Sequence, residues 1–273
     1  MAEVHRVAFA PGAALYVEEL GRGNGGPVVF GHSLLCDGRM FADQVTDLAQ
    51  DHHVLNVDFR GHGRSDRPPR RFTMADQGAD YLRVMDALAI DQAVLVGLSM
   101  GGMAAIHVAV AHPDRVRGLV LMDTSAGREE PLRRARYTAL ATTARLFGPR
   151  PWLARQASAV MFGRSFRAEH PEIVALWEER LVAMDRHAIA RAVRMVVDRP
   201  EMRDRLAEIQ APTLVIVGDE DVATPLPCAR TLASGIPGAR VEVVPMAGHL
   251  STVERPRLLA KLIRHFCESH ARD

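Results

Sequence analysis

The chain has 273 residues, 48% hydrophobic and 25% charged, the balance of an ordinary globular protein rather than a disordered or membrane-embedded one. A formal net charge of +1 gives no reason to expect nucleic acid or an anionic membrane as partner. Basic charge is almost all arginine; Lys261 is the only lysine, which all but removes Schiff-base chemistry.

Met1 to Leu20 carries Glu3, Arg6, Glu18 and Glu19 and has no uninterrupted apolar core, so it reads as neither a signal peptide nor an anchor. Val4 to Phe9 and Leu15 to Glu19 are expected as an antiparallel pair about the Pro11-Gly12 turn. Further strands are expected at Pro27 to Phe30, His53 to Asp58, Ala93 to Gly97, Gly118 to Asp123, Thr213 to Gly218 and Val241 to Val244. Most are rich in valine, isoleucine and leucine, as strands covered on both faces are. Helices are expected near Arg39 to Gln50, Ala75 to Ala89, Met100 to Ala111 and Arg257 to Cys267. This alternation specifies an α/β fold, with a mostly parallel sheet of eight strands and helices on both faces.

From about Arg128 to Ile209 no strand pattern occurs, and amphipathic helices are punctuated by Gly148-Pro149, Pro151, Gly163 and Pro171. Because this stretch falls between two sheet strands, residues 128–209 are expected to form a helical cap over their C-terminal ends. Residues 1–127 and 210–273 then make the core. The cap is arginine-rich (Arg133, Arg134, Arg136, Arg145, Arg150, Arg155) and does not read as an exposed apolar surface that docks on lipid. Cys36, Cys228 and Cys267 are odd in number and widely spaced, so unpaired thiols are expected, neither a disulfide frame nor a zinc site. A soluble cytoplasmic protein is the expectation.

Gly97-Leu98-Ser99-Met100-Gly101 is the sharpest motif, directly after one expected strand and directly before an apolar helix. A serine hydroxyl is a poor nucleophile unless presented openly to a base and a substrate. A tight strand-to-helix turn presents it so, needs glycine two residues to either side, and aims free N–H groups of the helix start at an oxyanion. Ser99 is therefore the candidate nucleophile.

With the stretches Asp58-Phe-Arg-Gly-His-Gly-Arg-Ser65-Asp66, Val217-Gly218-Asp-Glu-Asp221-Val-Ala-Thr-Pro225 and Ala247-Gly248-His249, the motif falls in the order found in α/β-hydrolases, which the chain resembles along its length. The resemblance implies an acid loop and a base loop after the seventh and eighth strands. His249 also stands apart from the other histidines on its own context: it follows glycine in a loop after a strand, near the chain end. None of the 12 histidines forms HExxH or similar spacing, so no metal is expected. Asp123, Asp219 and Asp221 all close strands; the resemblance places the acid three residues beyond Gly218, at Asp221, with Asp123 after the sixth strand the position some relatives use instead, and Asp219 reads as shaping the turn. It also implies an oxyanion hole made by the N–H groups of Met100 and Leu34, although Ser33 stands where most relatives carry glycine.

The expected activity is hydrolysis of a small or medium carboxylic ester or lactone through a Ser-His-Asp triad, with no cofactor and a small molecule as partner. Serine at the turn disfavours the dehalogenase and epoxide hydrolase branches, which use aspartate there. Ser33-Leu34-x-x-Asp37-x-Arg39-Met40-Phe41 and Gly97 to Met103 resemble 3-oxoadipate enol-lactonases. Carbon–carbon hydrolase, cofactor-free perhydrolase and acyltransferase activities use the same triad and stay open. So does a catalytically inert receptor of this fold.

Overall fold

A computed structural model describes residues 2–270. In chain order it runs β1 (Glu3–Ala10), β2 (Ala13–Leu20), β3 (Gly25–Gly31), α1 (Ala42–Leu48), β4 (His52–Asp58), α2 (Met74–Ala87), β5 (Ala93–Leu98), α3 (Met100–Ala111) and β6 (Val116–Met122). Five helices follow: α4 (Pro131–Phe147), α5 (Pro151–Met161), α6 (Arg164–Glu169), α7 (Pro171–Ala183) and α8 (Arg186–Val197). The chain closes with β7 (Thr213–Gly218), α9 (Leu226–Gly235), β8 (Arg240–Val244), α10 (Ser251–Glu254) and α11 (Pro256–His270).

The eight strands form one sheet in the order β1-β2-β4-β3-β5-β6-β7-β8. Only the β1–β2 and β2–β4 pairings are antiparallel. The centre of the sheet is dry: every residue of β5 and β7 is buried, which is why these segments read as unbroken apolar runs. By contrast β2 alternates buried and half-buried positions, and β1 leaves most of its residues wholly or partly exposed at the edge. Helix α3 is apolar on all sides because most of its side chains are buried, whereas α11 buries one stripe, Leu259, Ile263, Phe266 and Cys267. Helix α2 opens on a capping box between Thr73 and Asp76.

The strand order reverses between β3 and β5, since the chain leaves β3 for β4 on one side and returns to β5 on the other. Such a switch point opens a crevice at the carboxyl ends of its strands. Here Gly31 pairs with Gly97, so the loops after β3 and β5 leave the sheet side by side.

Several details differ from the sequence reading. The helix expected from Arg39 begins as a 3₁₀ turn, Gly38–Phe41, capped by Asp37, and continues as α1. Asp123 lies just beyond β6 with φ of 44°, not inside the strand. The helix α9 has no counterpart among the expected elements. The stretch between β6 and β7 is also not free of exposed apolar groups: Leu132, Leu146, Phe147 and Trp152 face solvent. The three cysteines are unpaired. Among the described residues no helix is long and apolar enough to cross a membrane.

Candidate active site

Backbone strain gathers at the carboxyl edge of the sheet. Leu35, Ser99, Asp123 and Met246 all have positive φ, and they follow β3, β5, β6 and β8. Such conformations cost non-glycine residues about 1–3 kcal/mol each and persist where surrounding structure holds them. Ser99, at φ 52° and ψ −110°, is the turn between β5 and α3. The glycines around it are sterically required. A Cβ on Gly101 would lie 2.0 Å from the Gly31 carbonyl oxygen, and one on Gly97 would lie 2.5 Å from the Gly101 carbonyl carbon. The loops therefore touch backbone to backbone, and α3 starts directly beneath Ser99.

The loop after β3 is held by a histidine that the sequence reading left unassigned. His32 Nδ1 donates to the Ser33 carbonyl at 2.7 Å, and its Nε2 accepts the Phe59 N–H at 2.8 Å. Each partner can play only one role, so the ring is a fixed neutral tautomer, and its burial lowers the pKa accordingly. Ser33, the departure from the usual glycine, is itself buried and donates its N–H to Met40 Sδ at 3.4 Å. Among the described residues neither the Leu34 nor the Met100 N–H has a protein acceptor. Leu34 lines the cavity beside Ser99, and Met100 is the first residue of α3. Two unengaged donors at this edge suit an oxygen that gains charge.

His249 follows β8 and donates from Nδ1 to Asp221 Oδ2 at 3.0 Å. Asp221 follows β7; its carboxylate also accepts from Ala223 N–H at 2.8 Å, Thr224 N–H at 3.1 Å and Thr224 Oγ at 2.8 Å. Thr224 is a further residue invisible to sequence reasoning. Burial alone would raise the Asp221 pKa, but the His249 charge and these hydrogen bonds outweigh it and hold the carboxyl below its ordinary range. For His249 burial lowers, while the Asp221 charge and hydrogen bond raise, and the net result lies above the ordinary histidine value.

The other two acid candidates stand elsewhere. Asp219 accepts the Ala247 N–H at 3.3 Å and shapes its turn. Asp123 accepts from Gly218 N–H at 2.9 Å and Ser251 Oγ at 2.5 Å, with no hydrogen bond to His249.

Ser99 and His249 line one cavity of about 430 Å³, within the range of small-molecule sites. No hydrogen bond joins Ser99 Oγ to His249 among the described residues; such contacts often tighten only when substrate binds. The opposite walls come from α4, α5 and α8, through Leu140, Ala144, Leu153, Ala157, Ile189 and Val193. Cys228 of α9 also lines it. Of the arginines singled out in this stretch, Arg133 and Arg136 reach the cavity. Arg133 is already engaged, donating to the Val222 and Ala223 carbonyls at 2.7 and 2.9 Å. Arg134 pairs with Asp198, and Arg145, Arg150 and Arg155 are exposed.

The end of α5 and the start of α6 are stapled to the loops that carry Asp221 and His249. Glu254 Oε2 accepts the N–H groups of Gly163 and Gly248, at 3.1 and 2.9 Å. The Leu250 N–H donates to the Met161 carbonyl at 2.9 Å, and Glu220 takes the Ser165 N–H at 2.8 Å. Away from the cavity, Glu3, His5 and Glu19 bring metal-capable atoms together on β1 and β2. There Glu19 is already bonded by His5 and His53, at 2.7 and 2.6 Å, with Arg22 at 3.7 Å.

A switch-point crevice, a strained serine turn and an Asp-His pair on successive loops define a protein built like a hydrolase. The family model described as alpha/beta hydrolase fold matches residues 26–256, and the chain belongs to that family. It is similar to 3-oxoadipate enol-lactonase 1 of Acinetobacter baylyi, with 27% identity covering 98% of this chain and 99% of that one. Among solved structures it is similar to a thermophilic esterase from Thermogutta terrifontis, with TM-score 0.90, 29% identity and 98% of each chain covered. The enol-lactonase from Burkholderia xenovorans LB400 is also similar, with TM-score 0.88, 31% identity, and coverage of 96% of this chain and 99% of that one.

Proposed function

We propose that this chain hydrolyses a small or medium carboxylic ester or lactone through an acyl-enzyme, with Ser99 as nucleophile, His249 as base and Asp221 as the orienting acid. The observation that carries the reading is Ser99 on its strained turn, facing the same cavity as a histidine whose Nδ1 is held by a carboxylate. That bond leaves Nε2 unprotonated and available to the cavity. Nε2 takes the Ser99 proton as Oγ bonds the carbonyl carbon, and the Leu34 and Met100 N–H groups stabilise the resulting oxyanion. The intermediate collapses as Nε2 returns the proton to the leaving alkoxide. Water then repeats the sequence on the acyl-enzyme, giving a carboxylic acid and free Ser99. These steps call for no metal or cofactor.

Residues 128–209 act in this reading as a cap whose helices roof the cavity and set its size. Enol-lactonase and esterase relatives support an ester or lactone as substrate. The test is labelling by a fluorophosphonate, with turnover measured on a panel of short esters, small lactones and long-chain triglyceride emulsions. Wild type should label at one residue, and Ser99→Ala should remain folded, unlabelled and slower by on the order of 10⁶. Labelling or wild-type turnover in Ser99→Ala would remove the serine mechanism. A preference for emulsions would remove the small substrate alone.

A further inference from the structure

Asp123 is fully buried at the end of β6, yet it has no place in the proton transfers just described. Its two carboxyl oxygens reach different loops. Oδ1 accepts the N–H of Gly218, the last residue of β7 and three residues before Asp221. Oδ2 accepts the hydroxyl of Ser251, two residues after His249. The Asp123 N–H in turn donates to the Ile216 carbonyl of β7 at 2.8 Å, fixing the backbone from which the carboxyl projects. One side chain thus spans the chain segments that deliver the acid and the base, from a residue held at positive φ.

We propose that Asp123 is a positioning residue, a buried strut that sets the acid loop against the base loop so that Asp221 meets His249 Nδ1; the proposal rests on the triad reading above. Its surroundings favour an uncharged strut. Burial is the main influence that drives its pKa well above the ordinary carboxyl value, and the neighbouring Asp221 charge pushes the same way. His249, the Ser251 hydroxyl and the Gly218 N–H pull in the opposite direction and do not overcome these. A neutral carboxyl keeps Oδ1 as acceptor for the Gly218 N–H and makes Oδ2 a donor to Ser251 Oγ, so it still holds both loops without placing a second negative charge beside Asp221.

This separates a strut from a second triad acid. Asparagine has the shape of the neutral carboxyl, keeps an acceptor for the Gly218 N–H, and its amide can donate to Ser251 Oγ. Asp123→Asn should therefore retain most of the wild-type kcat. Asp123→Ala removes both bonds and should lower kcat by roughly 10², the scale of a misplaced catalytic geometry. Its KM should change little, because Asp123 does not line the cavity. Ser251→Ala, which removes one bond, should fall between the two.

The decisive reading is the pH profile of kcat/KM. The Asp221 charge is the foremost influence raising the His249 pKa, Glu254 adds a lesser one, and Asp123 adds its own only when ionised; held neutral, it leaves the midpoint to report Asp221. Unseating Asp221 in Asp123→Ala should move the profile's midpoint down toward the ordinary histidine value, whereas simple destabilisation would lower the amount of active enzyme and leave the midpoint in place. An unmoved midpoint in folded Asp123→Ala would overturn the proposal. So would a loss in Asp123→Asn as large as that in Asp221→Asn, which would make Asp123 the acid. Should Asp123→Ala not fold, Asp123→Asn and Ser251→Ala still decide. If Ser99→Ala remained active, the triad reading would fail independently of this one.

Discussion

The turn at Ser99 and the helices facing it across the cavity are built on opposite principles. At the turn every position is fixed by contact: the glycines abut backbone atoms, β5 is wholly buried, and the chain is strained where the hydroxyl emerges. The helices α4 and α5 bury only Ala141, Ala144, Ala154, Ser158 and Met161. Between residues 131 and 168 they and their connections carry Arg133, Arg134, Arg136, Arg145, Arg150, Arg155, Arg164 and Arg167, but no aspartate or glutamate. Chemistry that must hold atoms to fractions of an ångström sits on the rigid edge of the sheet. In the proposed reading, recognition falls to a surface that can change without disturbing it. The two are joined by staples such as those of Glu254 and Arg133 and by apolar packing of Met161 and Phe162 against the sheet.

The largest effect expected from breaking the rigid side short of Ser99 itself is Asp221→Asn, which should cost roughly 10⁴ in kcat while KM holds. The same variant should shift the pH profile. Wild-type kcat/KM should rise with pH as His249 loses its proton, with a midpoint above the ordinary value of about 6.5 because Asp221 stabilises the imidazolium. Without that charge the midpoint should fall. A profile flat from acid to alkaline pH, with chemistry rate-limiting, would argue against a histidine base. Gly101→Ala should follow in severity, through stability. Its methyl group would meet the Gly31 carbonyl at 2.0 Å, so β3 or α3 must move, at a cost of about 1–3 kcal/mol or more. A lowered Tm with lost labelling is expected; an unchanged Tm would show that the edge yields more than its packing suggests.

How much of this was legible in the sequence follows the same division. Strand β7 runs from Thr213 to Gly218 and α3 from Met100 to Ala111, as their apolar runs and flanking glycines or prolines indicate. Ser99 and His249 line one cavity and His249 is bonded to Asp221, the residues to which the resemblance to α/β-hydrolases pointed. The helix α9 was missed because Leu226–Gly235 buries only Ala229 and Leu232, too few to mark a periodic face. His32, through Phe59, and Glu254, through Gly163, act through bonds to residues that tertiary structure alone brings near, and Thr224 supports Asp221 within a turn whose geometry the sequence does not print. That Leu146, Phe147 and Trp152 are exposed was not legible for a related reason. Whether an apolar residue on a loosely packed helix finds a neighbour depends on geometry that its own periodicity does not carry.

A smaller effect tests the staple. Glu254 is buried, its Oε1 has no hydrogen bond, and burial is the main influence that raises its pKa to about 7 despite bonds from Gly248 and Gly163. A carboxyl whose folded pKa exceeds its unfolded one binds more protons when folded. Its contribution is therefore full below the unfolded pKa and is lost as pH rises through about 7. Tm should decline from pH 5 to pH 8 by more in wild type than in Glu254→Gln, which keeps an acceptor and cannot ionise. Parallel declines in the two proteins would show that Glu254 is not the group responsible.

The smallest effect probes what the arginines do for recognition. Most that line the cavity are engaged: Arg133 with two carbonyls, Arg199 with Glu129 at 2.9 Å, and Arg203 with Glu201 at 2.7 Å. Arg136 also lines it, is exposed, and has no ion-pair partner among the described residues. Its guanidinium is therefore available to a carboxylate on the substrate, and the surrounding arginines give an anion a favourable approach. Solvent limits the gain, since an exposed ion pair is worth about 0.2–1 kcal/mol, or at most about fivefold in kcat/KM. The measurement compares an ester bearing a carboxylate with its neutral isostere. Arg136→Gln should reduce kcat/KM for the anion by up to that factor and leave the neutral ester unchanged. Raising the salt concentration should narrow the wild-type preference, because screening shortens the reach of exposed charge. If wild type favours the neutral ester at every salt concentration, the arginines form a solvated face and select nothing. The rigid edge around Ser99 would then act on whatever the apolar walls of the cavity admit.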